Sequence, residues 1–172
     1  MEYMELCNAL NAEPIITVAY SMLNHGTPEE IALAADWVEF MNAPADGSNP
    51  RGGVDWARQR SRFGRPDPYN VTYWEIGNEA YLRFPDNPEI YAEDFILYAE
   101  AMKAVDPTIK VGLNGGPMGP YPNLEWTAAV LSSDEAVMMA DFFIVHPSAS
   151  VGPDRYALPK RLDDTLVLLK TM

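Results

Sequence analysis

Residues 73–80 read Tyr73-Trp74-Glu75-Ile76-Gly77-Asn78-Glu79-Ala80, an apolar, β-prone run that breaks at a glycine and ends in an amide and a carboxylate. Aromatic and β-branched residues suit a pleated strand. In parallel α/β architectures the loops after the strands form the mouth of the pocket, so this strand delivers Asn78 and Glu79 to the rim where catalytic groups collect.

Upstream of it, Tyr3, Leu6, Cys7 and Leu10 recur at the spacing of one buried helical face, and Ala12-Glu13-Pro14 ends that helix. Ile15-Ile16-Thr17-Val18-Ala19 is then a short β-branched strand. Thr27-Pro28-Glu29-Glu30 supplies an N-cap, a proline at the first helical position and a capping-box glutamate. The inner face of that helix runs through Ile31, Ala34, Ala35, Val38 and Met41. Residues 43–70 form a long loop insertion rich in proline, glycine and arginine, with Arg51, Arg58, Arg60, Arg62 and Arg65 and a short helix near 54–60. Loops of this length are commonly functional. This one reads either as a solvated insertion or as a wall facing substrate.

Downstream, Asn87-Pro88-Glu89 starts a helix whose inner face is Phe95, Tyr98, Met102 and Val105. Residues 109–113 and 142–146 are two further strands, separated by a helical region from about 123 to 140, and 162–169 reads as the next helix. The ends of the last three strands, at Asn78, Leu113 and His146, lie 35 and 33 residues apart. That is the rhythm of successive βα units, and strict alternation implies a parallel sheet.

Two closures satisfy this pattern, a (β/α)8 TIM barrel and a small doubly wound sheet. No strand is followed by the glycine spacing of a phosphate-binding turn; Gly115-Gly116 comes nearest. A complete barrel takes about 250 residues, and these 172 open in a helix and stop in one. The expected fold is therefore an incomplete TIM barrel, with residues 1–172 as the central fragment of a single catalytic domain.

The bulk numbers narrow the function. With 25 acidic against 12 basic residues the net charge is −13, which disfavours nucleic acid or an anionic membrane surface as partner. No apolar run reaches the roughly 18 residues a membrane span requires. Cys7 excludes an internal disulfide and, with no leader in these residues, location is unfixed with a lean toward the cytoplasm.

If the strands are parallel neighbours, the loop after Ala19, Asn78, Glu79, Asn114 and His146 converge on one mouth suited to a neutral polyhydroxylated ligand. Trp74 joins Asn78, Asn114 and His146 among the candidate substrate-binding residues. The only histidines, His25 and His146, have no cysteine or carboxylate at ligand spacing, so neither metal nor cofactor is expected. No G-x-S-x-G elbow is present. Acid/base work by Glu79 is the chemistry that remains, against a bland reading in which it is a solvated carboxylate capping the next loop. Glu75, mid-strand, is buried by expectation and calls for a basic partner from the preceding loop. By default His146 is a satisfied core histidine and His25 an exposed one.

The run Pro68-Tyr69-Asn70-Val71 followed by Tyr-Trp-Glu-Ile-Gly-Asn-Glu resembles the acid/base strand of clan A glycoside hydrolases, most closely the family 51 α-L-arabinofuranosidases. Leu6 to Pro14, Gly26 to Asn42 and Asp106 to Gly116 also fit that family's pattern. The Gly-Asn-Glu triplet specifies only the clan; the Thr-Pro-Glu-Glu and Asp-Trp-Val-Glu-Phe-Met-Asn stretches point to the family.

The resemblance implies a retaining hydrolase of arabinan or arabinoxylan side chains, with Glu79 as general acid/base and Asn78 on the sugar 2-hydroxyl. It implies strands three to six of the barrel here, and a nucleophile glutamate on strand seven, beyond residue 172. Glu125 and Glu135 are poor substitutes for it, so the 172 residues alone are expected to show no turnover. Where the family places a tyrosine shortly after the histidine, Pro147-Ser148-Ala149-Ser150 follows His146, with no tyrosine before Tyr156. The alternatives are another clan A glycosidase (xylosidase, endoglucanase or agarase-like) and a non-catalytic carbohydrate-binding remnant. A homo-oligomer is compatible with the full-length parent.

Overall fold

The computed structural model describes residues 2–21, 25–83, 87–116 and 124–146. Four strands, β1 (Ile15–Val18), β2 (Tyr73–Ile76), β3 (Lys110–Asn114) and β4 (Phe142–Ile144), form one sheet in the order β1-β2-β3-β4. Every pairing is parallel, in registers that align Thr17 with Glu75, Glu75 with Gly112, and Gly112 with Phe142. The order follows the chain without reversal, as along the wall of a barrel; a doubly wound sheet reverses at its switch point.

The crossovers are α2 (Pro28–Asn42) with α3 (Trp56–Arg62) after β1, α4 (Ala80–Arg83) with α5 (Pro88–Val105) after β2, and α6 (Leu124–Leu131) with α7 (Asp134–Met139) after β3. α2 packs on α5, and α5 on α6 and α7, so the crossover helices lie side by side over the sheet. Alternate strand residues Val18, Trp74, Ile76, Val111 and Leu113 are buried with Val38, Phe95, Tyr98, Met102 and Trp126 in one apolar core. Because successive strand side chains alternate in direction, Thr17 and Glu75 share the other face. α2 starts as its sequence dictates: Pro28 occupies the first turn and Thr27 Oγ1 accepts from the Glu30 N–H at 3.3 Å.

The helix α1 (Glu2–Leu10) forms where the periodicity places it, but its buried residues are Met4 and Cys7; Tyr3, Leu6 and Leu10 are exposed. The single helical region expected before β4 splits in two, because Ser133 Oγ accepts from the Ala136 N–H and caps a new helix. The helix expected at 162–169, residues 147–150 and Tyr156 lie outside the described residues.

Residues 43–70 are not a substrate-facing wall. They join the C-terminus of α2 to the start of β2, and so lie at the end of β2 opposite Asn78 and Glu79. Nor are they simply solvated. Arg60 is fully buried and donates to the carbonyls of Phe40 (2.7 Å), Ala43 (2.8 Å), Pro66 (3.0 Å) and Arg65 (3.3 Å), so one guanidinium folds the segment onto α2. Burial pulls its pKa below the ordinary arginine value. Asn42 closes the same end: its amide donates to Val71 O and Asp106 Oδ2, both at 2.8 Å, and its oxygen accepts from Val71 N at 2.8 Å.

Candidate active site

β2 ends in a turn that its glycine makes possible. Gly77 extends the pairing with β1 by donating its N–H to Val18 O at 3.1 Å, then adopts φ +75°. A Cβ at that position would lie 2.9 Å from Tyr20 Cβ. Two residues later Glu79 itself has φ +52°, the left-handed region that non-glycine residues enter at some cost. Ala80 then begins α4, and the Leu82 N–H donates to Glu79 O at 2.9 Å. The turn leaves Asn78 exposed and aims the Glu79 side chain across the strand ends.

Two groups meet that carboxylate. Tyr81 donates its hydroxyl to Glu79 Oε1 at 3.0 Å, and His146, two residues past β4, places Nδ1 at 3.2 Å from the same oxygen. The Glu79 and His146 side chains remain 37% and 39% exposed, so the pair is open to a ligand. The hydrogen bonds from His146 and Tyr81 hold Glu79 below the usual carboxylate range. His146 is thus not the core histidine that its apolar strand suggests.

Beneath the turn, Glu75 is 7% exposed and, among the described residues, has no arginine partner of the kind its sequence position calls for. Its carboxylate instead accepts from Thr17 Oγ1 at 2.8 Å and Asn114 Nδ2 at 3.0 Å, so β1, β2 and β3 are tied by neutral donors. Asn114 is itself 2% exposed. Its backbone N–H donates to the Tyr91 hydroxyl at 3.1 Å, which donates to Ile76 O at 2.8 Å.

Trp74 does not belong to this site. It is fully buried in the core between sheet and helices, and its Nε1 donates to Val71 O at 3.1 Å. Alternation along β2 puts it on the face away from Glu75, which makes it a packing residue.

At the end of β1 stands a cluster that sequence reasoning missed. The Tyr20 hydroxyl donates to Asp94 Oδ2 at 2.8 Å, and His25 Nδ1 lies 3.1 Å from the same oxygen. His25 is therefore partly buried against α5 and not the exposed loop residue expected. Burial and the Asp94 carboxylate push the Tyr20 phenol well above its ordinary pKa, so it stays a donor. Asp94 is 74 residues from Tyr20, and no short-range pattern announces such a pair. Tyr81 had a visible signal, being two residues beyond Glu79. Among the described residues no group of three or more His, Cys, Asp or Glu side chains could hold a metal ion. Glu125 and Glu135 are exposed on α6 and α7.

Comparison with known proteins gives the family. Residues 1–142 match the family model of the alpha-L-arabinofuranosidase 1 domain. A probable alpha-L-arabinofuranosidase C from Aspergillus clavatus is 32% identical over 155 residues, covering 84% of this chain and 28% of that protein. The alpha-L-arabinofuranosidase of Thermotoga maritima, solved as an arabinose complex, superposes with a TM-score of 0.72 at 31% identity; the family 51 enzyme of Thermotoga petrophila gives 0.71 at 31%. Each of these two matches covers 99% of this chain and 33% of the other. The chain thus spans about a third or less of the length of its relatives. With residues 1–142 matched by that family model and these folds superposing, the chain belongs to the α-L-arabinofuranosidases of glycoside hydrolase family 51.

Proposed function

We propose that the whole protein releases α-L-arabinofuranosyl residues from arabinan- or arabinoxylan-type polysaccharides by a retaining double displacement, with Glu79 as general acid/base. The observation that carries this reading is the placement of Glu79: a partly exposed carboxylate at the C-terminal end of a parallel strand, turned into the mouth by a left-handed backbone and gripped by Tyr81 and His146. Support for the sugar comes from the Thermotoga maritima relative, which was solved with arabinose.

In this mechanism the described strands are three to six of a (β/α)8 barrel. A second carboxylate, about 5 to 5.5 Å from Glu79, attacks the anomeric carbon while Glu79 protonates the leaving oxygen; Glu79 then deprotonates the water that releases the sugar. That nucleophile is contributed by the protein outside these 172 residues. Tyr81 and His146 favour the anionic form of Glu79, which suits the second half-reaction. The negative charge of the nucleophile supplies the opposing push that keeps Glu79 protonated for the first. Asn78, exposed beside Glu79, hydrogen-bonds the sugar 2-hydroxyl.

The test is hydrolysis of aryl α-L-arabinofuranosides by the full-length protein. Glu79→Gln is expected to lower turnover of a phenyl glycoside by about 10²-fold or more. Added azide should restore turnover of a dinitrophenyl glycoside by that variant and give the azide of retained configuration. Cleavage of a β-xyloside or β-glucoside instead would replace the substrate assignment, and sugar binding without turnover in the wild type would replace the enzyme assignment with a binding one.

A further inference from the structure

Glu79 can protonate a leaving oxygen only if the Gly77–Glu79 turn leaves β2 in one direction. The head of the side chain is held by Tyr81 and His146, but the take-off of the turn is held elsewhere. Gly77 N–H is tied to Val18 of β1. On the β3 side Asn114 supplies contacts of its own. Its side-chain Nδ2, 3.0 Å from Glu75 Oε1, also lies 3.4 Å from Gly77 O. Its backbone N–H reaches Ile76 O through the Tyr91 hydroxyl. Asn114 therefore touches the two carbonyls that bracket the start of the turn, one directly and one through a tyrosine.

Burial decides what such an amide does. At 2% exposure Asn114 has almost no surface to offer a sugar, and its donor group is already engaged. Glu75 in turn fixes the amide: a carboxylate accepts from both Thr17 and Asn114 whichever way it rotates, whereas a glutamine would have to turn an N–H toward one of two donors. We infer that Asn114, oriented by Glu75 and Thr17, is a positioning residue that sets the direction of the Gly77–Glu79 turn, and not a ligand of the sugar. This rests on the acid/base reading of Glu79 above.

The experiment compares two aryl α-L-arabinofuranosides in the full-length protein. A 2,4-dinitrophenyl leaving group departs without protonation, while an unsubstituted phenolate needs the acid. For Asn114→Ala, kcat/KM, which reports the first half-reaction alone, is expected to fall about 10²-fold on the phenyl substrate, the scale of general acid catalysis, with only a severalfold change on the dinitrophenyl substrate. Thr17→Val, an exchange of nearly equal volume on β1, removes one donor to Glu75, and should shift the ratio of the two rates in the same direction by about threefold to tenfold. Equal loss on both substrates in both variants, or a raised KM with kcat intact, would overturn the inference. Glu79→Gln separates the two layers of the argument. If that variant keeps the wild-type rate ratio, the acid/base reading falls and takes this inference with it. If it changes the ratio while Asn114→Ala and Thr17→Val do not, only the inference falls.

Discussion

His146 Nδ1 lies 3.2 Å from Glu79 Oε1, joining the ends of β4 and β2 across the intervening end of β3. The two residues are 67 positions apart, and neither would be held in this geometry without the parallel sheet between them.

This contact sets the first expectation. Because His146 and then Tyr81 lower the Glu79 pKa, removing either donor should raise it. Carboxyl-carbon NMR titration of the 172-residue chain should place Glu79 below the ordinary glutamate value. His146→Ala and Tyr81→Phe should each move it upward, with the larger movement in the histidine variant. An unchanged titration in both variants would mean that neither donor engages Glu79 in solution.

Gly77 offers a sharper contrast. Gly77→Ala forces a side chain into φ +75° and against Tyr20, whereas Gly52, at φ +72° in the 43–70 loop, has open space around it. Both substitutions carry the backbone cost, about 1–2 kcal/mol. Only the first also displaces the turn that carries Glu79. Urea unfolding should therefore show loss in both, while arabinofuranosidase activity of the full-length protein drops at least tenfold in Gly77→Ala alone. Equal activity in the two variants would contradict this.

Arg60→Met preserves most of the side-chain volume but strands the carbonyls of Phe40, Ala43, Arg65 and Pro66. The expected loss is about 3 kcal/mol, the scale of a buried hydrogen-bond network left without its donor. Arg60→Lys should recover little of it, because one ammonium cannot span the positions reached by the guanidinium fork. The denaturant midpoint measures both; a loss below about 1 kcal/mol would mean that the loop is anchored by something else.

Acid sensitivity has a source at the same end of the fold. Although burial opposes it, hydrogen bonds from Thr108 and Asn42 hold Asp106 below the usual aspartate range. A depressed native pKa contributes stability above the unfolded value, near 4, and that contribution is lost as pH falls through the native value. Asp106→Asn should cost about 1 kcal/mol at pH 7. The wild type and the variant should converge below about pH 3. Parallel curves over the whole range would count against the linkage.

What the sequence disclosed was mostly local. The four strands, the cap at Thr27 and the convergence of Glu79 and His146 on one mouth follow from runs, spacings and strand order. Asn42 and Glu39, both in the stretch that carries the family resemblance, turn out to be fasteners: Asn42 clamps β2 to α5, and Glu39, fully buried, accepts from the Trp56 N–H at the start of α3. Periodicity misjudged α1, because a helical stripe does not say what lies opposite it. Trp74 was misassigned although alternation along β2 already puts it on the face away from Glu75. The partners of Glu75, and the Asp94 carboxylate that meets His25, come from other elements 39 to 69 residues away, where only the fold brings them together.

The position of the 43–70 segment also gives the molecule a handle. Its residues 44–48 are exposed at the end of β2 remote from Glu79, and Cys7, the one cysteine of these 172 residues, is buried. Ser48→Cys would therefore give this 172-residue chain one accessible thiol for coupling to a resin or a gold surface. A chain immobilised there would stand with the Glu79 end of its sheet turned outward, away from the support.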